Sequence, residues 1–431
     1  MDSQLAGLPL IPERNRDICA DSPRLLEVRR QYRALAHGQC LDMVSRVFHG
    51  TPGRKAQVSS GLAGESGGPS SARSREVLHF GSYNYSGLNG HPRVLAAAEA
   101  ALKRYGTTTS GVRLLNGTCE LHVELERSLA DFLGVEDCIT YSSGYMANVS
   151  VLSAVCCEGD AVLSDVLNHR SLADGLRLSG ARLHAFQHRD SRSLEAVLAE
   201  LPGSQRKFIV TDGIFSMDGD IADLPDIVRL AREYNAFIIL DDAHATAALG
   251  PLGRGTPAYF AMEDEVDILT GSLSKGLPGI GGFAAGPKAT IDLLRFGSCG
   301  YIFSASLPPP VVAGLIEALR ILQEEPERQV RLHRNERFLR DGIRGLGLDC
   351  MDSASPVIPI RMPSLPTTVE MARLLQEEGI YINPIGYPAV SRNKPRLRLN
   401  VSANLEQEDL ERCLEALERC ARRLGVLAQD A

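Results

Sequence analysis

A lysine enclosed by small residues is the first feature of this sequence that could carry out chemistry. Lys275 lies in GSLSKGLPGIGG, residues 271–282, where glycine and serine let the chain pack closely around an amine. In a tight, partly desolvated site the pKa of a lysine falls, and the neutral amine can form an imine with a carbonyl compound. An isolated lysine is far more often a solvated surface group, so the segment needs support from other residues.

The same segment also contains Ser-x-x-Lys, from Ser272 to Lys275, which is the nucleophile pattern of penicillin-binding hydrolases. That class also carries the tripeptides Ser-Asp-Asn and Lys-Thr-Gly, and the sequence contains neither of them. The segment therefore favours imine chemistry over hydrolysis by a serine.

Acidic residues end the strongest predicted strand. FIIL, residues 237–240, is a run of four apolar residues typical of a strand buried on both faces, and Asp241-Asp242-Ala243-His244 follows it directly. A carboxylate in that position is costly unless it meets a positive partner, and either a protonated pyridine nitrogen or a metal ion would serve. A capping aspartate beside a surface aspartate explains the same residues equally well.

A serine- and glycine-containing turn is the third candidate. TYSSGYMANVSVL, residues 140–152, predicts a strand, a turn at Ser143-Gly144 and the start of a helix. Free N–H groups at such a turn, together with the helix dipole, suit a phosphate group. Because a strand-to-helix turn also needs small residues for steric reasons, this motif alone favours the structural explanation.

The elements around these segments predict an α/β fold. From about residue 76, short apolar runs alternate with segments of helical period, which indicates a mostly parallel sheet covered by helices. Strands are predicted at 138–141, 161–163, 208–210, 237–240 and 268–270, and a helix at 224–236. Polar residues collect after several strands, and in open α/β sheets that edge binds ligands.

The ends of the chain differ from this middle part. We expect residues 1–75 to form an N-terminal segment with a helix over 22–48 and a mobile Gly/Ser-rich loop over 51–75. Residues 76–320 would form the large domain, and 321–431 a smaller α/β domain. In the latter we predict strands in 356–362 and 395–401, and helices over 368–379 and 405–425. Cys413 and Cys420 fall on the apolar face of the last helix, so we interpret them as core residues.

Composition excludes several classes of function. The chain has 431 residues, a formal net charge of −7 and no basic cluster, which argues against nucleic-acid binding. No apolar run approaches the roughly 20 residues that span a bilayer. The first residues lack the pattern of a signal peptide, and the ten cysteines are scattered, so we expect reduced thiols and a cytoplasmic location.

Taken together, these segments resemble the α-oxoamine synthases, pyridoxal-phosphate (PLP) enzymes of the fold-type I, aspartate-aminotransferase-like class. The resemblance covers roughly residues 76–425, and its most specific parts are DGIFSMDGDIADLPDIVRLAREYNAFIILDDAHATAALG and SLSKGLPGIGG. NYSGLNGHP, GTCELHVELE and YIFSASLPP support it in the expected order.

The resemblance implies a role for each matching residue around the cofactor. Lys275 would hold PLP as a Schiff base and move the α-proton of the amino acid, while Asp241 would keep the pyridine nitrogen protonated. His169 would stack on the ring, and His244 would bond the phenolic oxygen. The remaining positions that match cofactor contacts are Ser143, Gly144, Tyr145, Ser216, Ser272 and Ser304.

The resemblance also implies a reaction and its partners. It predicts a decarboxylative Claisen condensation, in which a small amino acid attacks an acyl thioester, from acyl-CoA or an acyl-carrier protein, to give an α-amino ketone. Asn84 and Arg398 match the groups that hold the carboxylate of the amino acid, for which a planar guanidinium is well suited. Ser304 matches a phosphate contact from a second subunit, so a homodimer with a shared site is expected.

Some residues depart from the family pattern, and alternatives remain open. Ser86, Ala245 and Ala247 replace residues common in the family, and the tail Ser402-Ala403-Asn404-Leu405 lacks a common histidine. We expect these changes close to the substrate. An aminotransferase, aldolase or decarboxylase of the same fold would also use PLP. A silent partner subunit is a further alternative, but such subunits tend to lose the lysine, and Lys275 is present.

Overall fold

The computed structural model describes residues 46–60 and 74–427, together with the single positions 23 and 26. The chain divides into two compact units, and the described residues belong almost entirely to the second, residues 48–58 and 74–431. The following account concerns that second unit. Most of the helix predicted over 22–48 lies outside the described residues.

The described strands and helices follow in chain order. The strands are β1 (Arg46–His49), β2 (Lys55–Ser60), β3 (Arg75–His79), β4 (Asp137–Tyr141), β5 (Ala161–Asp165), β6 (Arg182–Phe186), β7 (Lys207–Asp212), β8 (Ala236–Asp241), β9 (Ile268–Ser272), β10 (Gly282–Gly286), β11 (Val357–Arg361), β12 (Ile380–Tyr381), β13 (Asn383–Ile385) and β14 (Arg396–Asn400). The α-helices are α1 (Pro92–Tyr105), α2 (Glu120–Leu133), α3 (Gly144–Val155), α4 (Arg170–Ser179), α5 (Ser191–Ala199), α6 (Leu224–Glu233), α7 (Thr256–Tyr259), α8 (Lys288–Gly297), α9 (Cys299–Ile302), α10 (Pro309–Glu324), α11 (Glu327–Gly345), α12 (Leu365–Glu377) and α13 (Gln407–Arg423).

A seven-stranded sheet is the centre of the fold, with strand order β4-β10-β9-β8-β7-β5-β6. Neighbours from β9 to β6 pair in parallel, and β10 pairs antiparallel with both β9 and β4. Most residues of its inner strands are buried, as expected of strands covered on both faces. Each strand predicted from a short apolar run is confirmed, and together they form this sheet.

Helices cover the sheet because their apolar faces need burial. One core cluster joins α2 and α10 to residues of β8, β9 and β10, and a second joins α3 and α4 to β4, β5 and β7. A third packs α5 and α6 on β5, β7 and β8. The helix predicted over 224–236 is confirmed as α6, which ends at Glu233. This packing holds the ends of β7, β8 and β9 side by side.

Two smaller sheets complete the fold. One is four-stranded, in the order β1-β2-β3-β12, and the other is three-stranded and antiparallel, in the order β11-β14-β13. The strands predicted in 356–362 and 395–401 are confirmed as β11 and β14, and the two C-terminal helices as α12 and α13. The division into a large and a small domain stays a prediction, and residue 320 lies inside α10.

Two predictions near the N-terminus are wrong in part. Residues 46–49 form β1 instead of continuing a helix, and residues 55–60 form β2 instead of a loop. Ala56 and Val58 bury their side chains in a small cluster with Val77. These small apolar groups alternate with polar residues, so a half-buried strand forms where composition alone indicated a mobile segment.

The cysteines, possible metal-binding groups and helix hydropathy of the described residues complete this account. The described cysteines are all free thiols, and Cys413 and Cys420 are buried in the core as predicted. Residues 46–60 and 74–427 contain no group of three or more His, Cys, Asp or Glu side chains arranged to hold a metal ion. No described helix is long and apolar enough to cross a membrane.

Candidate active site

The loop that carries Lys275 connects β9 to β10 and is closed by backbone hydrogen bonds. The Leu273 N–H donates to the carbonyl of Gly281 at 3.0 Å, and the Gly279 N–H donates to the carbonyl of Leu273 at 2.9 Å. A Cβ atom on Gly276 would lie 2.4 Å from the carbonyl oxygen of Thr246, so only glycine allows this close approach. The loop is therefore held rigidly against the segment that follows β8.

Lys275 borders two adjoining cavities. The first, which we call the Lys275 cavity, is lined by His169, Asp212, Ile214, Ser216, Asp241, Ala243, His244 and Lys275. The second, the Asn84 cavity, has a volume of about 270 Å³ and is lined by Ser82, Tyr83, Asn84, Asn89, Ser274, Lys275, Leu277, Pro278 and Gly279. The structure thus brings together Lys275, Asp241, His169, His244 and Ser216, with Asn84 next to them.

The electrostatics around Lys275 favour a neutral amine. Burial lowers the pKa of Lys275, an effect that the charges of Asp241 and Asp212 oppose and that of Arg398 reinforces. A lysine with a lowered pKa spends more time as a free amine, which is the form that acts as nucleophile or base. The position and chemistry agree with what the sequence predicted.

Asp241 is held by a donor on each carboxylate oxygen. The Ala243 N–H donates to Oδ1 at 3.0 Å, and Asn148 Nδ2 donates to Oδ2 at 2.6 Å. The carboxylate is 5% exposed, which leaves it facing the cavity with lone pairs to spare. An acid in this position can accept a further hydrogen bond from a cationic ring nitrogen.

A second acid, Asp212, lies next to Asp241 and was not predicted from the sequence. The two residues pair in register at the ends of β7 and β8. Burial, and then the charge of Asp241, raises the pKa of Asp212 well above its ordinary value. The signal was present, because KFIVTD and AFIILD are apolar strands that each end in an aspartate.

Two histidines of the Lys275 cavity are anchored through their Nδ1 atoms. His169 Nδ1 lies 2.7 Å from Ser171 Oγ, and His244 Nδ1 lies 2.8 Å from the hydroxyl of Tyr85. Burial lowers the pKa of His169 and, together with the charge of Lys275, lowers the pKa of His244 well below its ordinary value. Both rings are therefore neutral near pH 7. Tyr85 and Ser171 were not predicted as site residues, although Tyr85 lies within the NYSGLNGHP motif.

The turn before α3 has the features of an anion site. Ser143 caps the helix, with its Oγ accepting from the N–H of Met146 at 3.1 Å. A Cβ on Gly144 would lie 3.1 Å from Cβ of Ser272, so a glycine lets this turn approach β9 and its serine hydroxyl. Tyr145 is exposed, and its hydroxyl donates to Asp174 at 2.5 Å. Ser143, Gly144 and Ser272 thus converge at a helix N-terminus, as a phosphate requires.

Two buried hydrogen-bond donors without partners in the described part of the chain lie near the Asn84 cavity. Arg398 donates through Nη1 to the carbonyl of Ser216 at 3.0 Å and through Nη2 to the hydroxyl of Tyr83, while its Nε has no partner. Nδ2 of Asn84 is likewise buried without a partner. Buried donors normally find acceptors, so these two atoms fit a bound carboxylate. The residues present therefore suit PLP together with an amino acid.

Ser304 is the predicted site residue that lies elsewhere within one chain. It lines a separate small cavity with Tyr141, Ser142 and Tyr301, and Lys275 does not border that cavity. In a single chain the structure does not bring Ser304 to the Lys275 cavity.

Three residues that depart from the family pattern lie in the interior of the protein. Ser86, Ala245 and Ala247 are all fully buried. The hydroxyl of Ser86 donates to the carbonyl of Gly276 at 2.6 Å, directly after Lys275. The expectation that these substitutions lie close to the substrate stays a prediction. The three residues concern the packing behind the Lys275 loop.

Comparisons with known proteins agree with this geometry. The family model "Aminotransferase class I and II" matches residues 75–417. The chain is 42% identical to 8-amino-7-oxononanoate synthase of Thermosipho melanesiensis over 353 residues, which cover 82% of this chain and 90% of that protein. It is 40% identical to PigH of Serratia sp., a 4-hydroxy-2,2'-bipyrrole-5-methanol synthase, over 82% of this chain and 54% of that protein. The solved serine palmitoyltransferase of Sphingomonas wittichii matches with a TM-score of 0.86 at 31% identity, covering 93% of this chain and 98% of that one.

The fold and the cavity together define a fold-type I PLP-dependent transferase. The family and the cofactor that the motifs predicted are confirmed by these matches. The chain belongs to the α-oxoamine synthase family, PLP-dependent C-acyltransferases that join an amino acid to an acyl thioester with loss of CO2.

Proposed function

We propose that Lys275 and Asp241 are the catalytic pair of this enzyme, and that its substrates are a small amino acid and an acyl thioester. The products are an α-amino ketone, CO2 and the free thiol. The observation that carries this proposal is a lysine of lowered pKa on the same cavity wall as a doubly anchored aspartate.

Each residue of the Lys275 cavity can be assigned a different contact with the cofactor. PLP, when bound, supplies an aldehyde carbon and an electron-withdrawing ring that stabilises negative charge on the α-carbon of the amino acid. Asp241 would accept a hydrogen bond from the ring nitrogen and keep it protonated, while Lys275 would provide the amine that holds the aldehyde and would take the α-proton. His169 would contact the ring, and His244 and Ser216 would donate to its oxygen substituent. Ser143, Gly144, Tyr145 and Ser272 would hold the phosphate.

The substrate-binding part of the proposal rests on the unpartnered donors. Arg398 and Asn84 bind the carboxylate of the amino acid, and the guanidinium is held in place by Ser216 and Tyr83. The Asn84 cavity of about 270 Å³ opens beside Lys275 and offers the space for the thioester. The small residues around Lys275 leave room for a short side chain, so glycine, alanine and serine are the amino acids to test.

A homodimer with a shared site is also part of the proposal. Ser304 is partly exposed on its own chain and does not border the Lys275 cavity. A hydroxyl donated by a partner subunit to the phosphate would give this serine a function that its own chain does not. The cytoplasmic location stays a prediction.

The test of the proposed function measures thiol release. Purified enzyme with PLP is incubated with glycine, alanine or serine, together with short or long acyl thioesters, either as CoA or on a carrier protein. We expect thiol and CO2 to appear only when both substrates are present, and the better donor separates CoA from carrier-protein use. Formation of a keto acid from the amino acid alone would instead identify an aminotransferase.

A trapping experiment tests the role of Lys275 separately. Borohydride reduction should attach PLP to the peptide containing Lys275 and to no other. Lys207 is an internal control, because it is a buried lysine that donates to the carbonyl of Gln205 and lies outside both cavities. Lys275→Ala should lower turnover by at least about three orders of magnitude without loss of fold. Label on Lys207, or full turnover in Lys275→Ala, would contradict the proposal.

A further inference from the structure

The two histidines of the Lys275 cavity present the same nitrogen to it. Each has its Nδ1 occupied by a protein hydroxyl, while the Nε2 atom has no protein partner among residues 46–60 and 74–427. A neutral imidazole carries its proton on one nitrogen only, so the partner of Nδ1 decides what Nε2 can do.

For His244, the partner of Nδ1 is the hydroxyl of Tyr85, which has no other hydrogen-bond acceptor within reach in the described part of the chain. Tyr85 is 0% exposed, and its hydroxyl contacts His244 Nδ1 at 2.8 Å with no second acceptor in the described part of the chain. If Nδ1 carried the proton, the buried O–H of Tyr85 would be left without an acceptor, at a cost comparable to a lost hydrogen bond. Tyr85 must therefore donate to Nδ1, and the proton of His244 lies on Nε2.

For His169 the direction follows from an acceptor-only carboxylate. An ionised Asp241 can only accept, so Asn148 must turn its amide nitrogen towards it, at 2.6 Å. The same nitrogen donates to Ser171 Oγ at 2.9 Å, and the hydroxyl of Thr270 donates to Asn148 Oδ1 at 2.6 Å. All members of this chain are buried, and it fixes the direction of each hydrogen bond.

Two donors then converge on Nδ1 of His169. The hydroxyl of Ser171 already accepts from Asn148, so its own proton points to Nδ1 at 2.7 Å. The backbone N–H of Ser171 also points to Nδ1, at 3.4 Å. A protonated Nδ1 would face both donors, which excludes that tautomer.

We propose that Tyr85, and the chain Thr270–Asn148–Ser171, are positioning residues that hold His244 and His169 as neutral Nε2–H tautomers. Both rings then act in the cavity as hydrogen-bond donors, towards anionic oxygens of the cofactor or the substrate. Neither ring has a free lone pair facing the cavity, so proton abstraction is left to Lys275. The inference deepens the proposed function, because it assigns the direction in which each ring acts.

The experiment reads the ring protons directly. Two-bond 1H–15N correlation spectra of enzyme labelled with 15N-histidine distinguish the two tautomers, with and without PLP and with no substrate present. His122 serves as an internal reference, because its Nδ1 accepts the N–H of Cys119 at 3.2 Å and its Nε2 lies 2.9 Å from the carbonyl of Leu307. We expect His244 and His169 to show the same Nε2–H pattern as His122. An Nδ1–H pattern for either ring would overturn the proposal.

Matched variants test which residues fix the tautomer of each histidine. Tyr85→Phe should move only the His244 signals, towards a mixture of tautomers, and lower kcat about tenfold. Ser171→Ala should shift only the His169 signals, and less, because the backbone N–H at 171 remains. Tyr141→Phe is the control, since it removes another buried hydroxyl, which lies 3.1 Å from Ser298 Oγ, and should move neither ring. Unchanged His244 signals in Tyr85→Phe would refute the role of Tyr85.

The spectra separate this inference from the proposed function. They report the ring protons of the free and the PLP-loaded enzyme. The inference about the tautomers can therefore be confirmed or refuted without identifying a substrate. The wild-type spectrum decides between tautomers even if a variant does not fold.

Discussion

Two histidine clusters near the same edge of the large sheet use similar residue types for opposite purposes. His188 lies between two aspartates, with Nδ1 at 3.1 Å from Asp165 and Nε2 at 2.7 Å from Asp220. His244 meets a phenol at Nδ1 and has no protein partner at Nε2 within the described chain. One cluster is closed by protein groups, and the other is left open to a ligand.

The difference shows in the pKa values. Burial alone would lower the pKa of His188, but its hydrogen bonds to Asp165 and Asp220 raise the pKa to about 9. Burial and the charge of Lys275 push the pKa of His244 the other way, well below its ordinary value. The protonated ring of His188 stabilises the fold through its two aspartates. The neutral ring of His244 forms no ion pair within the described residues and keeps Nε2 available to bind a ligand. The two clusters thus differ in whether both ring nitrogens of the histidine have protein partners, and we interpret the His188 cluster as structural and the His244 cluster as functional.

Asp241→Asn should produce the largest effect on the open cluster. Asparagine removes the negative charge and also leaves one of two donors, Asn148 Nδ2 or the Ala243 N–H, facing an amide N–H. We expect kcat to fall on the order of 100- to 1000-fold, because a ring nitrogen is no longer kept protonated. Steady-state kinetics measure the loss, and a PLP titration shows whether the cofactor still binds. Wild-type kcat would remove Asp241 from its proposed role.

His188→Gln should affect stability and leave turnover within about twofold. The pKa of His188 is raised in the folded state, so its stabilisation is complete below about pH 6.5 and is lost as the pH rises through about 9. We expect the variant to be about 2 kcal/mol less stable near pH 6, a value reduced from the full shift because solvent reaches part of the ring. Denaturant unfolding across this pH range measures the difference, which should vanish at high pH. A constant difference would mean that packing on Phe215, not charge, is lost.

Asp212→Asn should also have only a small effect on rate, although Asp212 neighbours Asp241. The raised pKa of Asp212 favours its neutral form, and the amide of asparagine is similar to that form in shape and charge. The amide oxygen can still accept the hydrogen bond that the backbone N–H of His169 donates to Asp212. We expect kcat within about threefold of wild type. Because a raised carboxyl pKa costs stability as the pH increases, the variant should also be more stable than wild type in alkaline buffer. A loss of rate as large as that of Asp241→Asn would show that Asp212 is ionised and takes part in the reaction.

The sequence predicted the strands of the large sheet because their apolar runs are continuous and bounded by polar residues. β2 was missed, since Ala56 and Val58 are small and sit in a segment that the Gly/Ser-rich stretch dominates. The site residues Lys275, Asp241 and His244 were found because they lie inside recognisable motifs. Asp212 could have been found by the same argument as Asp241, from the acid that ends its strand.

Other parts of the site depended on long-range contacts. Tyr85 and His244 are separated by 159 residues, and Asn148 and Asp241 by 93, so no local pattern relates them. The burial of Ser86, Ala245 and Ala247 was likewise not visible in the sequence.

Residue order alone predicted the α/β class from apolar periodicity, and short motifs implied the PLP cofactor and a role for Lys275 through a family resemblance, because periodicity and motifs are local properties of the chain. The protonation and hydrogen-bond directions that we infer for the groups around Lys275 depend on contacts that only the fold makes. Hydrogen-bond partners and burial decide whether a histidine is charged or neutral and which nitrogen keeps its proton, and those partners come from strands and helices far apart in the chain.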